Sequence, residues 1–285
     1  VTDEGADVAK IRVVTDSACD LPDELAAELG IVVVPLSIRF GDEEFTDRKD
    51  LSPAQFWAKC KSSKVLPETA APSPGAFQVA YEQARADGCD GVLVITLSAE
   101  LSATHQAATL AAQAVESIPV RVVDSRAVTM AQGLMAVELA TAAADGATLD
   151  QLGDLAVELI PRAGVIGTLD TLEHLIKGGR LKGAKALLGS MLSVKPLLEL
   201  KDGAVVEAGR QRTRAKALAT CVAAARAAEP LRRLALVHGN AADVDAVLEA
   251  LKDVPSQYPL VVADMGSVVG THGGPGIVGI CWIRA

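Results

Sequence analysis

The sequence predicts an α/β protein of two α/β domains, residues 1–160 and 161–285. The first is read as a mostly parallel sheet with flanking helices, the second as a mixed sheet with helices. Three observations carry that reading. A chain of 285 residues is longer than most single cores support. Short β-branched runs alternate with capped helical segments in both halves. Half of the residues are hydrophobic but only 3% are aromatic, so the core is built from Val, Leu, Ile and Ala, which suits helices layered on sheets.

In chain order, Ile11–Thr15 reads as a β-branched strand followed by Asp16-Ser17. Asp20 is placed to N-cap a helix with Pro22 and two acids in its first turn and Gly30 past its end. Ile31–Val34 and Leu36–Phe40 read as extended, with a turn at Gly41-Asp42 leading into Glu43–Phe45. Ser52-Pro53 opens a helix to about Lys61. The prolines at 67, 72 and 74 argue against regular pairing there, and Ser73-Pro74 starts a helix to about Arg85. Val92–Thr96 is a buried-type strand, and an alanine-rich helix follows the Ser98–Thr104 segment to about Val115. Strand Val120–Asp124, helix Met130–Ala143 ended by Gly146, and a Thr148-capped helix Leu149–Leu159 complete the first half. Beyond Pro161, Val165–Gly167 is a strand, Thr171–Lys177 a helix stopped by Gly178-Gly179, and Ala184–Leu192 a further helix. Val194–Leu200 and Ala204–Ala208 form a hairpin about Lys201-Asp202-Gly203. Helix Thr213–Ala228, strand Leu234–His238, helix Ala242–Leu251 and strands Leu260–Ala263 and Ile277–Ile283 follow.

The net charge of −9 argues against nucleic acid as a partner. No apolar run reaches the ~18 residues of a membrane span, and the acidic start Val1–Asp7 lacks the basic region of a signal peptide. Five scattered cysteines without a C-x-x-C pair read as reduced thiols, so a cytoplasmic protein is expected. The charge is uneven. Lys177–Lys216 holds ten Lys/Arg against three Asp/Glu, net +7, which leaves −16 on the remainder. Such an island is either a docking face or a solvated helix-and-hairpin surface.

In open α/β sheets, ligands bind beyond the carboxyl ends of the strands. Four loops qualify: Asp16-Ser17, Thr69–Ser73, Ser98–Thr104 and Gly266–Gly276. The last has five glycines, one proline and His272, so a ligand or another backbone can approach it closely. Hydroxyls and N–H groups at helix starts suit an anion. Ser102 would serve equally well as a helix cap alone, and Thr69 as part of a turn. None of Ser17, Ser98, Ser102 and Ser125 lies in G-x-S-x-G, and no H-E-x-x-H or paired Cys/His supports a metal. Neither a P-loop nor a G-x-G-x-x-G after the first strand is present, so no cofactor is expected. A small-molecule hydrolase or phosphotransferase using His272 as general base stands as the alternative function.

Several stretches, in order, resemble the DegV family of bacterial fatty-acid-binding proteins across essentially the whole chain. They are Val14–Pro22, Thr69–Phe77, Ile95–Thr104, Val123–Ser125, Leu172–Leu175 through Gly178-Gly179-Arg180, Ala184–Ser190, Lys195-Pro196, Arg212–Arg214 and Gly270–His272. The resemblance implies two α/β domains with one long-chain fatty acid between them, its acyl chain in an apolar tunnel. Its carboxylate would meet Thr69, Ser102 and His272, with Ser98 one helical turn before Ser102 sharing the task. The resemblance also implies a carrier rather than a catalyst, served by a separate fatty-acid kinase that phosphorylates the bound acid. Arg180 and Arg212, in the basic island, would then face that kinase or an anionic membrane. Ala70-Ala71 stand where the family usually has Ser-Gln, Ala103 where it has glycine, and Gly273 where threonine is common. These departures bear on head-group geometry more than on function.

Overall fold

The computed structural model describes residues 9–181 and 194–285. The first half runs β1 (Ile11–Asp16), α1 (Asp23–Glu28), β2 (Val32–Val34), β3 (Ser37–Phe40), β4 (Glu43–Thr46), α2 (Pro53–Ser62) and β5 (Glu68–Ala70). It continues with α3 (Pro74–Ala86), β6 (Gly91–Thr96), α4 (Thr104–Ala114), β7 (Val120–Asp124), α5 (Met130–Ala144) and α6 (Leu149–Leu159). The second half contains β8 (Ala163–Thr168), α7 (Glu173–Lys177), β9 (Lys195–Lys201), β10 (Ala204–Gln211) and α8 (Arg214–Ala227). It ends with β11 (Leu231–His238), α9 (Val244–Leu251), β12 (Val261–Asp264), α10 (Ser267–Gly273) and β13 (Val278–Arg284). The helix expected over Ala184–Leu192, with Lys182 and Lys185, lies outside the described residues.

The first sheet, ordered β2-β1-β6-β7, is parallel throughout, and β6 is buried along its whole length, as its unbroken apolar run requires. The second sheet, ordered β10-β9-β8-β13-β11-β12, is mixed: only β11 and β12 pair in parallel. A small antiparallel sheet, β4-β3-β5, stands beside the first. Local chemistry sets the helix starts. Ser52 with Gln55 and Thr148 with Gln151 form capping boxes, while Ser73 accepts the Ala76 N–H at 3.3 Å and Thr213 the Lys216 N–H at 3.3 Å.

The two halves meet on α5. Helices α3 and α4 cover one face of the parallel sheet, and α5 and α6 the other. The far side of α5 packs on β8, β11 and β13 of the mixed sheet, whose opposite face carries α8. Its residues from Met130 to Ala140 are all buried, which is the pattern of a helix without a solvent face.

Four expectations about local structure need correction. Asp20 caps no helix: Pro22 occupies that position, and Asp20 is buried in a left-handed conformation with its carboxylate turned to distant groups. Glu68–Ala70 does pair, with Ser37–Arg39, because three residues between the flanking prolines are enough for a short ladder. Ser102 is not the N-cap of α4; Ala103 is, without a side-chain bond. Finally, the glycine-rich segment 266–276 is mostly a helix. Its glycines permit close packing, since a Cβ on Gly270 would stand 2.7 Å from the Phe56 ring and 2.8 Å from Trp57.

Candidate functional site

Strand β5 pairs Thr69 with the fully buried Ile38, so both side chains leave the small sheet on its inner face. There the Thr69 hydroxyl meets His272 Nε2 at 3.0 Å, across 203 residues of sequence. His272 stands in the last turn of α10, and that helix is held against α2 by the Gly270 contact and by the Trp57 indole N–H, which donates to the Met265 carbonyl at 3.2 Å. On its other side a Cβ at Gly178 would overlap His272 Nδ1, so only glycine lets α7 come this close.

Thr69 and His272 line a cavity of about 120 Å³ between the two halves. Its walls are mainly aliphatic, with Leu97, Val128, Val165, Leu169, Leu198 and Val268 among them. Among the described residues its polar groups are few: Thr69, Ser102, Thr129, Arg180 and His272, with the exposed Glu199 at the rim. The Ser102 hydroxyl lies 2.9 Å from that of Thr104, whose N–H it accepts at 3.3 Å. Arg180 is half-buried, donating from Nε to the Leu101 carbonyl at 3.3 Å and from Nη1 to that of Gly178 at 2.6 Å.

Burial pushes the His272 pKa down to about 4, with Arg180 and His174 nearby acting in the same direction. The imidazole is therefore neutral near pH 7. Its Nδ1 is buried without a partner, so one ring nitrogen of the site is left unanswered. The folded protein binds its His272 proton more weakly than the unfolded chain, whose value is 6.5. The contribution of a neutral His272 to stability is thus complete above about pH 6.5 and is lost as the pH falls toward 4. Denaturation across pH should show wild type losing stability relative to His272→Gln over that window, with a level difference above pH 7. A level difference over the whole range would mean the ring is not held neutral by burial.

Of the expected head-group residues, Thr69, Ser102 and His272 share the cavity. Ser98 does not. It is fully buried and its hydroxyl donates to the Gly203 carbonyl at 2.7 Å, fastening the β9–β10 turn to the first half. Arg180 and Arg212 also part company: Arg180 faces the cavity, while Arg212 is exposed between β10 and α8. Much of the basic island is neutralised by acids within and beyond it. Lys177 pairs with Glu173, Lys195 with Asp170, Arg210 with Glu207 and Arg214 with Asp243. Thr129 also lines the wall, and nothing local in the sequence distinguishes it from an ordinary helix-start threonine. Among the described residues no group of His, Cys, Asp and Glu could hold a metal, and no helix is long and apolar enough to cross a membrane.

The family model described as "Uncharacterised protein, DegV family" matches residues 10–285. A DegV domain-containing protein of Deinococcus radiodurans is 37% identical over 281 residues, which is 95% of this chain and 97% of that one. Among solved structures, that of a fatty-acid-binding DegV family protein from Thermus thermophilus is similar, with a TM-score of 0.89 at 34% identity, covering 97% of this chain and 100% of that one. DegV of Bacillus subtilis, described as a fatty acid binding protein, gives a TM-score of 0.84 at 30% identity, covering 96% and 99%.

Proposed function

The chain belongs to the DegV family, and from that premise we propose that it holds one long-chain fatty acid in the cavity between its halves. The observation that carries the reading is an aliphatic cavity in which Thr69, Ser102 and His272 are among the few polar groups. Burying ~15 methylenes at ~0.8 kcal/mol each supplies roughly 12 kcal/mol of gross driving force before ordering costs. A carboxylate is costly to bury without donors. The hydroxyls of Thr69 and Ser102 and the imidazole of His272 supply them, and Arg180 adds a nearby positive charge.

We read the chain as a carrier. A separate fatty-acid kinase would act on the presented carboxylate, one oxygen taking the γ-phosphoryl group of ATP as ADP leaves. Exposed Arg212 is the described arginine of the pair left for docking that kinase or an anionic membrane. The enzyme alternative is weaker, because an imidazole with a pKa near 4 is a poor base at neutral pH and its Nε2 faces Thr69 rather than a serine.

One preparation tests both parts. Mass spectrometry of the denatured protein should release a long-chain acid, and incubation with a fatty-acid kinase and ATP should convert it to the acyl phosphate, more slowly in Arg212→Glu. A protein that carries no acid and takes up neither palmitate nor oleate would sink the carrier reading. Turnover of acyl or phosphoryl esters by the lone protein would favour the enzyme instead.

A further inference from the structure

Three buried carboxylates lie behind the cavity wall and make no use of the head-group contacts. Asp16 accepts the Leu97 N–H at 2.7 Å and the Gln132 amide at 3.1 Å. Asp20 accepts the Gly266 N–H on Oδ1 at 2.9 Å and the Thr129 hydroxyl on Oδ2 at 2.6 Å. Asp47 accepts the Ser267 hydroxyl. Two of these bonds fall on the first residues of α10, whose N-cap, Gly266, has no side chain to cap the helix itself. A third holds Thr129, which lines the cavity at φ 54°, ψ −151°. That backbone conformation is strained for a β-branched residue, so it persists only where its surroundings impose it. Here the Asp20 bond and the Thr129 N–H to the Ala18 carbonyl at 2.8 Å do so.

We propose that Asp20 is the positioning residue of the fatty-acid carboxylate site, fixing the start of α10 and the Thr129 wall together, and that binding of the acid draws a proton onto the buried aspartates. The inference rests on the fatty-acid reading and deepens it. Gly266 and His272 are six residues apart on one short helix, about 9 Å at ~1.5 Å per residue, so the aspartate that sets the helix start also sets the imidazole.

The charges around Asp20 give the direction of the proton effect. Asp16 and Cys19 face it from the first turn, Asp47 and Arg48 from the segment after β4, and Cys281 from β13; His272 is the titratable side chain of α10. Arg48 is the cation of this group against three carboxylates, and it also serves Leu21 and Asp23. Burial pushes Asp16 and Asp20 up to about 7 and raises Asp47, while the two thiols are pushed up and stay neutral. The charge of Asp47 adds to the rise at both Asp16 and Asp20. An acyl carboxylate brought into the same low-dielectric region repels them and favours their protonated forms. The anion should therefore bind with proton uptake, and more weakly as the pH rises through 7.

The test measures palmitate and hexadecanol affinity of the full chain from about pH 6 to pH 8, with proton uptake read by calorimetry in two buffers of different ionisation enthalpy. Wild type should lose palmitate affinity several-fold over that range and take up a fraction of a proton, with hexadecanol level. Asp20→Asn copies the neutral acid, accepting from Gly266 and donating to Thr129, and should reduce both the slope and the uptake. Asp20→Ala should weaken palmitate about tenfold at every pH. Binding by wild type with a slope shared by Asp20→Asn, or Asp20→Ala binding like wild type, would overturn this inference alone. Failure of wild type to bind either ligand would overturn the fatty-acid reading, and this inference with it.

Discussion

Replacing Glu138 with alanine is expected to destabilise the protein by about 3–5 kcal/mol, the usual cost of stripping one partner from a buried ion pair. Glu138 sits in the middle of α5 with 5% of its side chain exposed. Its two oxygens accept the Nε–H groups of Arg232, at 2.6 Å, and of Arg233, both on β11. Removing it leaves two adjacent guanidiniums without their shared counter-charge. Arg233 is 11% exposed and stacked over Tyr258 at 4.0 Å, so water reaches it poorly. Arg232 is 33% exposed and recovers part of its hydration, which places the expectation toward the lower end of the range. Urea denaturation should show the loss as a shift in midpoint without a change in slope. Glu138→Gln, which keeps the shape and loses the charge, should fall between. A double variant, Glu138→Leu with Arg233→Met, should lose less than Glu138→Ala alone, because an apolar pair leaves no charge stranded. A Glu138→Ala protein within about 0.5 kcal/mol of wild type would mean that the ion pair does not join the halves.

The position of Glu138 also shows what periodicity reveals and what it hides. The run Met130–Ala143 announces a helix, and its lack of a polar face announces burial. Nothing in the run says that two sheets enclose it, since that depends on partners more than ninety residues away. The same holds at the site. The family resemblance points to Thr69, Ser102 and His272, and all three line one cavity. Ser98 looked equivalent to Ser102 because both are hydroxyls in one loop. What separates them is the Asp202-Gly203 turn, whose carbonyl reaches one and not the other. Asp20 looked like a helix cap because Pro22 and two acids follow it, yet its bonds lie with Gly266 and Thr129. Gly266–Gly276 looked like a loop because glycine is a poor helix former. Its helix is paid for by tertiary contacts with Phe56, Trp57 and Gly178, which no window of local sequence contains.

On the proposed head-group assignment, Thr69→Val should weaken palmitate binding by about tenfold to a hundredfold. Valine keeps the shape of threonine but removes the hydroxyl that joins the ligand site to His272. A hydrogen bond to a charged group contributes about 1.5–3 kcal/mol, and each ~1.4 kcal/mol is a factor of ten in Kd. The loss has two sources. The carboxylate would lose a donor, and His272 Nε2 would lose its partner while Nδ1 already has none. His272→Ala should cost a similar amount, and the double variant less than the sum, because the two groups act through one bond. Ser102→Ala should cost less, since Thr104 can offer its hydroxyl from 2.9 Å away. Displacement of a fluorescent acyl probe by palmitate gives each Kd, and hexadecanol separates the head group from the acyl chain: its affinity should move little in any variant. Unchanged palmitate affinity in Thr69→Val, Ser102→Ala and His272→Ala together would move the carboxylate site elsewhere in the cavity. Equal losses for palmitate and hexadecanol would instead mean that the substitutions deform the aliphatic walls.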